Sequence, residues 1–250
     1  MPADPTQRFS SRVAAYVKSR PGYPAALLDH LEGEGVLSPG AIVADVGSGT
    51  GILTAALRGR CAHIHAVEPN DAMRAVAPEG ADITHWPGAA EETGLPDASV
   101  DVVCAAQAFH WFDPPAARVE FARILRPGGR VALIWNTRQS SSAFLRGYEA
   151  ALQAWGTDYA QVTHRSQGPE QIGAFFAPAR WARHTFDNVQ FFDEAGLITR
   201  VRSSSYTPEP GHPRYERLMG AMRALFAEHQ EGGSIAFRYT TELYLSGSGL

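Results

Sequence analysis

Val43-Ala44-Asp45-Val46-Gly47-Ser48-Gly49-Thr50-Gly51 decides the fold, and Glu68, seventeen residues beyond Gly51, decides what kind of ligand the fold would hold. A short apolar run closed by three alternating glycines, then an apolar stretch from Ile52, reads as a buried strand, a tight turn and a helix start. Ala62–Val67 is a second strand with Glu68 at its tip. In an open parallel sheet a ligand binds beyond the C-terminal strand ends, at the crevice where strand order reverses. Gly47, Gly49 and Gly51 let the backbone approach such a ligand closely. A carboxylate at position 68 can accept both hydroxyls of a ribose.

Outward from this stretch the rhythm of strand and helix continues. Gly51–Leu57 opens a helix, Ala72–Val76 forms a short one before Pro78, and Asp82–His85 is compatible with a third strand. Ser99–Ala106 is apolar enough to be buried on both faces, as a central parallel strand must be. Asp113 caps a helix over Pro114–Leu125 with Pro114 at its first position, and Arg130–Trp135 is a fifth strand after Pro127-Gly128-Gly129. Such alternation predicts βαβ units in an α/β, Rossmann-like fold: a mostly parallel seven-stranded sheet with helices on both faces. Residues 9–31 read as helical with interruptions at Pro21 and Pro24, 141–156 as helical, Tyr215–Glu228 as a late helix, and Ile235–Leu245 as strongly β. The expected organisation is one domain over 1–250. It has a helical lid at 1–35, a cofactor-binding core at 41–136, a substrate cap at 140–183 and completion of the sheet at 184–245. Ser246–Leu250 reads as a flexible tail.

Two details separate the possible cofactors. The dinucleotide fingerprint needs a third glycine at G-x-G-x-x-G, and Ile52 stands in that slot. Asp45, just before the turn, would repel a pyrophosphate but suits the ammonium and sulfonium of S-adenosylmethionine. Val43–Gly51 resembles the first motif of class I S-adenosylmethionine-dependent methyltransferases. Glu68 matches that family's ribose-binding acid, Ala89-Ala90-Glu91 with Leu95-Pro96 its adenine loop, and Arg123–Gly129 its turn before strand five. Tyr16-x-x-x-Arg20-Pro21-x-Tyr23-Pro24 and Ala108–Asp113 are similar to the small-molecule, type-11 branch that includes trans-aconitate methyltransferase-like enzymes. The resemblance implies that Gly47, Gly49 and Gly51 flank the methionine moiety and that Asp45 lies beneath its amino group. It places Glu68 on the ribose, and Met73, Ala90 and Glu91 at the adenine. Gln107 joins the cofactor site after strand four, and Tyr16 and Arg20 close over the cofactor from the N-terminal helix.

Methyl transfer from a sulfonium is an in-line displacement that needs alignment and desolvation more than acid or base, so the acceptor leaves a faint trace in sequence. The candidates for substrate handling are Gln107, His110 and Trp111, with Trp135 and Asn136 behind them, and Asp187 or Asn188 as further reach into the pocket. Arg138, Arg146, Arg165, Arg180 and Arg183 offer a carboxylate clamp from the cap, against the plainer reading of a solvated surface. Asp113-Pro114-Pro115-Ala116 lacks the aromatic of amino-group methyltransferase motifs and reads as a helix cap. His63 and His65 share a strand face without a third ligand, so no metal is expected. The favoured function is methylation of a small molecule, with O-methylation of a carboxylate or hydroxyl preferred. The alternatives are a non-catalytic or regulatory S-adenosylmethionine-binding protein of the same fold, or a protein or RNA methyltransferase.

Bulk properties agree with that class. The net charge is −4, and the basic residues are Lys18 and 21 arginines with no basic block, which speaks against a nucleic-acid partner. No apolar run approaches the roughly 18 residues of a membrane span, and a polar start without a signal-peptide core makes the cytoplasm the expected compartment. Cys61 and Cys104 read as isolated reduced thiols in strands. A monomer or homodimer is expected.

Overall fold

Apolar runs rich in β-branched residues pair into one seven-stranded sheet of order β3-β2-β1-β4-β5-β7-β6. The computed structural model describes residues 20–157, 159, 169–204, 206–248 and 250. The strands are β1 (Ile42–Val46), β2 (His63–Val67), β3 (Ile83–Trp86), β4 (Val100–Ala106), β5 (Leu125–Arg138), β6 (Trp181–Phe192) and β7 (Ile235–Ser246). β1 to β5 run parallel, and β7 lies antiparallel to both β5 and β6. Strand order reverses between β1 and β4, so their C-terminal ends frame the crevice.

The helices are α1 (Ala25–Gly33), α2 (Ile52–Leu57), α3 (Asp71–Arg74), α4 (Pro114–Ile124), α5 (Ala143–Trp155), α6 (Pro169–Phe176), α7 (Glu194–Arg202) and α8 (Tyr215–His229). Pro24 opens α1, so the helical reading of 9–31 holds only from Ala25 onward within the described residues. Asp113 caps α4 through its carboxylate, which accepts from the Ala116 N–H at 3.2 Å. One sheet face packs Val46, Val103 and Leu133 against Phe121, Ile124 and Phe176; the other packs Val43, Val102 and Ile134 against Leu27, Leu31 and Leu57. Burial on both faces explains why the central strands lack alternation.

Three departures from the sequence reading shape the site. β5 starts at Leu125, five residues early, with an irregularity opposite Val100–Val102 that absorbs Pro127–Gly129. It also runs on to Arg138, four residues past the last pairing with β4 at Ile134. β6 and α7 were not anticipated as such: in the edge strand β6 the half-buried positions include His184, Asn188 and Gln190 and the exposed ones include Val189 and Phe191, which hides its period. The C-terminal tail is not loose throughout. Ser246 ends β7 fully buried, its hydroxyl accepting the Val131 N–H at 2.8 Å, and Leu250 packs on the core.

The overhanging ends of β5, β7 and β6 form a wall covered by a second layer. Phe144, Tyr148 and Leu152 of α5 pack there with Leu197, Leu218, Met222 and Phe237. The stretch 140–183 therefore divides: α5 joins α7 and α8 in this layer, while Ile172, Phe175 and Phe176 of α6 enter the main core beside α4. Cys61 lies just before β2 and half-buried, and Cys104 is buried in β4; both are free.

Candidate functional site

A cavity of about 460 Å³ opens in the notch between the sheet's C-terminal edge and the second layer. Its floor is the glycine turn. Gly47 and Ser48 donate their N–H groups to the Val67 carbonyl, tying the turn to β2. All three glycines have left-handed backbone, but for different ends. A Cβ on Gly47 would come within 2.6 Å of the Ala108 Cβ, and one on Gly51 within 2.3 Å of Pro78. At Gly49 a Cβ would meet only the Met73 sulfur at 3.8 Å, so this position faces the cavity.

Glu68 stands at the tip of β2 with both carboxylate oxygens held. Oε2 accepts from the Gly49 N–H at 3.0 Å and Oε1 from the Asn70 N–H at 2.8 Å. Burial pushes its pKa up, with these two bonds and Arg74 opposing. Asp45 is deeper, 1% exposed, with its Oδ2 accepting from the Thr54 hydroxyl at 2.6 Å. Burial raises its pKa to about 6, the Thr54 bonds oppose this, and Glu68 adds to the rise. Met73 lines the cavity from α3, whose N-terminus is capped by Asn70. Ala90 and Glu91 line it too, and the Glu91 carboxylate is turned to accept the Asp113 N–H at 2.7 Å.

The opposite rim is built by the ends of β4 and β5. Gln107 adopts a left-handed conformation uncommon outside glycine and donates to the Asn136 carbonyl at 3.1 Å. His110 and Trp111 follow on a single turn of 3₁₀-helix, their rings 4.9 Å apart, and both line the cavity. Asn136 lines it as well, whereas Trp135 is a packing residue against Phe109 and Tyr244. Asn136 Oδ1 accepts from Asn188 (3.0 Å) and Thr241 (2.6 Å), and both asparagine amides donate to the Gly22 carbonyl. Gln190 adds a bond to the Arg20 carbonyl at 3.1 Å. Arg20, whose guanidinium reaches the Ser203 carbonyl, is thereby held at the cavity mouth. Tyr16 lies outside the described residues.

A family model described as a methyltransferase domain matches residues 44–133. Uncharacterized methyltransferases of Mycobacterium tuberculosis and Mycobacterium bovis are 35% identical over 246 residues, covering 95% of this chain and 94% of theirs. The chain belongs to the S-adenosylmethionine-dependent methyltransferases. An uncharacterized methyltransferase-like protein of Schizosaccharomyces pombe is 32% identical over 207 residues, 79% of this chain and 77% of its own. A solved structure from Anaeromyxobacter dehalogenans, described as a type II methyltransferase, is 25% identical, with a TM-score of 0.64 over 92% of this chain and 97% of that one.

The donor fits the residues present. Asp45 Oδ1, Ser48 Oγ and Thr50 Oγ1 are buried at the cavity without a hydrogen-bond partner among the described residues. Buried polar atoms are normally paired, and an amino acid with an ammonium group would pair them. Of the clamp arginines picked from the cap, three are engaged elsewhere in this methyltransferase, Arg138 with Glu149 and Tyr159, Arg146 with backbone carbonyls and Arg183 with Glu242, and Arg180 is exposed just before β6 and does not line the cavity. Arg165 lies outside the described residues. Sequence reasoning missed Arg200 and Tyr206, which line the cavity from α7 and the loop after it, and Tyr239 of β7. Nothing in the sequence singled them out, since the helix that carries Arg200 was itself not anticipated. His63 and His65 bond Thr84 and Trp86, and among the described residues no cluster of His, Cys, Asp or Glu is set to hold a metal. No described helix is long and apolar enough to cross a membrane.

Proposed function

We propose that this methyltransferase acts on a small molecule, transferring the methyl group to an oxygen of a carboxylate or hydroxyl. The observation that carries the reading is the cavity: one enclosed notch joins the glycine turn to an aromatic and polar rim, with room for a compact acceptor. Bound S-adenosylmethionine supplies a methyl group already activated on a sulfonium. Asp45 with Ser48 and Thr50 would hold its amino-acid end, and Glu68 its ribose. Met73, Ala90 and Glu91 would border its adenine. Arg20 would face its carboxylate, and Gln107 would border the reacting end. His110 and Trp111 would align the acceptor and exclude water, which is where the rate advantage of such a displacement lies.

In domain terms, 41–136 would bind the cofactor, and the segment entering at Arg20 would close the mouth. The layer over the strand overhang would shape the acceptor end. Calorimetric titration with S-adenosylhomocysteine, with NAD as control, tests the site. Micromolar binding of the former alone is expected, and a methylation screen over small acids and alcohols should then find turnover. Failure of the folded protein to bind S-adenosylhomocysteine would remove the reading.

A further inference from the structure

The second layer places a cation, Arg200, in the cavity wall besides the Arg20 assigned to the donor. Arg200 is 4% exposed and lines the cavity, and among the described residues no carboxylate pairs with it. Its contacts are the Ser204 hydroxyl at 3.0 Å and the Phe237 ring face, 5.7 Å away, with Tyr239 beside it. Its Nε has no hydrogen-bond partner. A buried guanidinium without an anion leaves a desolvation cost that a π face and the Ser204 and Tyr239 hydroxyls offset only in part. Arg138, the other buried arginine of this layer, already has Glu149. One unmatched positive charge therefore faces the cavity from this wall.

The packing partner of Arg200 lies well away from the glycine turn. Arg200 lies over β7, three strands from β1 in the order β1-β4-β5-β7, which at about 4.8 Å per strand is roughly 14 Å across the sheet. The donor-facing groups, Asp45, Ser48 and Glu68, cluster at β1 and β2. The cavity walls also carry the aromatic side chains of Tyr23, Trp111 and Tyr206. We propose that Arg200 is the anion-binding group of the acceptor subsite, and that the acceptor is a monocarboxylate with a flat, largely apolar body. At the end away from Arg200 that body carries the hydroxyl whose oxygen takes the methyl group, with S-adenosylhomocysteine leaving and the hydroxyl proton passing to solvent. This deepens the small-molecule reading and rests on it. Tyr206 agrees with a site built for negative charge. Burial alone would raise its pKa, but Arg200, Arg138 and Arg20 outweigh burial and pull it below the usual phenol value.

The test is calorimetry on protein saturated with S-adenosylhomocysteine, using benzoate and 3-phenylpropionate against benzamide and 3-phenylpropanol. The wild-type protein should bind an acid in the millimolar range or tighter and at least ten-fold better than its neutral counterpart. Arg200→Met should abolish that preference and leave S-adenosylhomocysteine affinity within two-fold. Wild-type protein that holds S-adenosylhomocysteine but does not prefer either acid overturns the proposal, without any variant. So does an Arg200→Met protein that loses S-adenosylhomocysteine affinity, because the arginine would then serve the donor's carboxylate. Wild-type protein that fails to bind S-adenosylhomocysteine removes the underlying reading instead.

Discussion

Asp45 sets stability against ligand binding. Its native pKa of about 6 stands above the unfolded value of 3.8, so the fold prefers the protonated acid. That preference is fully present below pH 4 and is lost as pH rises through 6, leaving the ionised, buried group at a cost of about 3 kcal/mol at pH 8. Asp45→Asn should thus raise unfolding free energy at pH 8 by about 1–3 kcal/mol in urea titrations. The same change should weaken S-adenosylhomocysteine binding ten-fold or more, since an ammonium partner requires the carboxylate. In the wild type that affinity should fall as pH drops through 6. An Asn variant unchanged in both respects would show that Asp45 neither bears strain nor meets the ligand. The glycines make a second contrast. Gly49→Ala should keep the fold, at a left-handed strain of about 1 kcal/mol, and lose ligand affinity. Gly47→Ala and Gly51→Ala should lose stability first, because their Cβ atoms meet Ala108 and Pro78; circular-dichroism melts with calorimetry separate the cases. His110→Ala should lower kcat by about ten-fold or more if the ring positions the acceptor, with S-adenosylhomocysteine affinity kept. Asp45, Glu68 and the glycines were legible because a strand–turn–strand grammar fixes them locally. Arg200 was not, because what makes it unusual is the absence of a neighbour, which no spacing encodes.

At the scale of elements, the overhang of β5, β7 and β6 is the feature that turns a sheet edge into a pocket. Pairing of Asn136 with Thr241 and of Asn188 with Tyr239 aligns these strands beyond the end of β4. In that register Asn136, Asn188 and Thr241 form one hydrogen-bonded cluster that seats Gly22. Asn136→Ala removes three side-chain bonds in the cluster and should cost about 2–3 kcal/mol in urea unfolding. It should also weaken S-adenosylhomocysteine binding, because Arg20 is anchored through the same edge. A variant that loses stability but binds as the wild type would disconnect the mouth segment from the donor site. The sequence pointed to Asn136 and Asn188 as pocket candidates without showing that they meet. They are 52 residues apart, and only the antiparallel insertion of β7 brings them together.

For the whole molecule, binding and folding are linked because the ligand site is assembled from both layers. S-adenosylhomocysteine at about 100 times its dissociation constant should add about 2.7 kcal/mol to stability, visible as a concentration-dependent rise in Tm. A Tm indifferent to a ligand shown to bind by calorimetry would mean that the unfolding seen is that of a part outside the site. The free thiols have no role in this linkage: burial pushes the Cys61 pKa up to about 11 and that of Cys104 well above the usual thiol value, so neither is a nucleophile near neutral pH.

The sequence by itself determined the parallel core, the glycine turn, the acidic partner at the tip of β2 and hence the donor, because these depend on local backbone geometry and on strands buried on both faces. The tertiary structure decided the far wall of the cavity. The overhang of β5, the edge strand β6, the pairing of α5 with α7 and α8, and the isolation of Arg200 all arise from contacts between distant segments. In those contacts burial and the lack of a counter-charge, rather than any local pattern, set the chemistry.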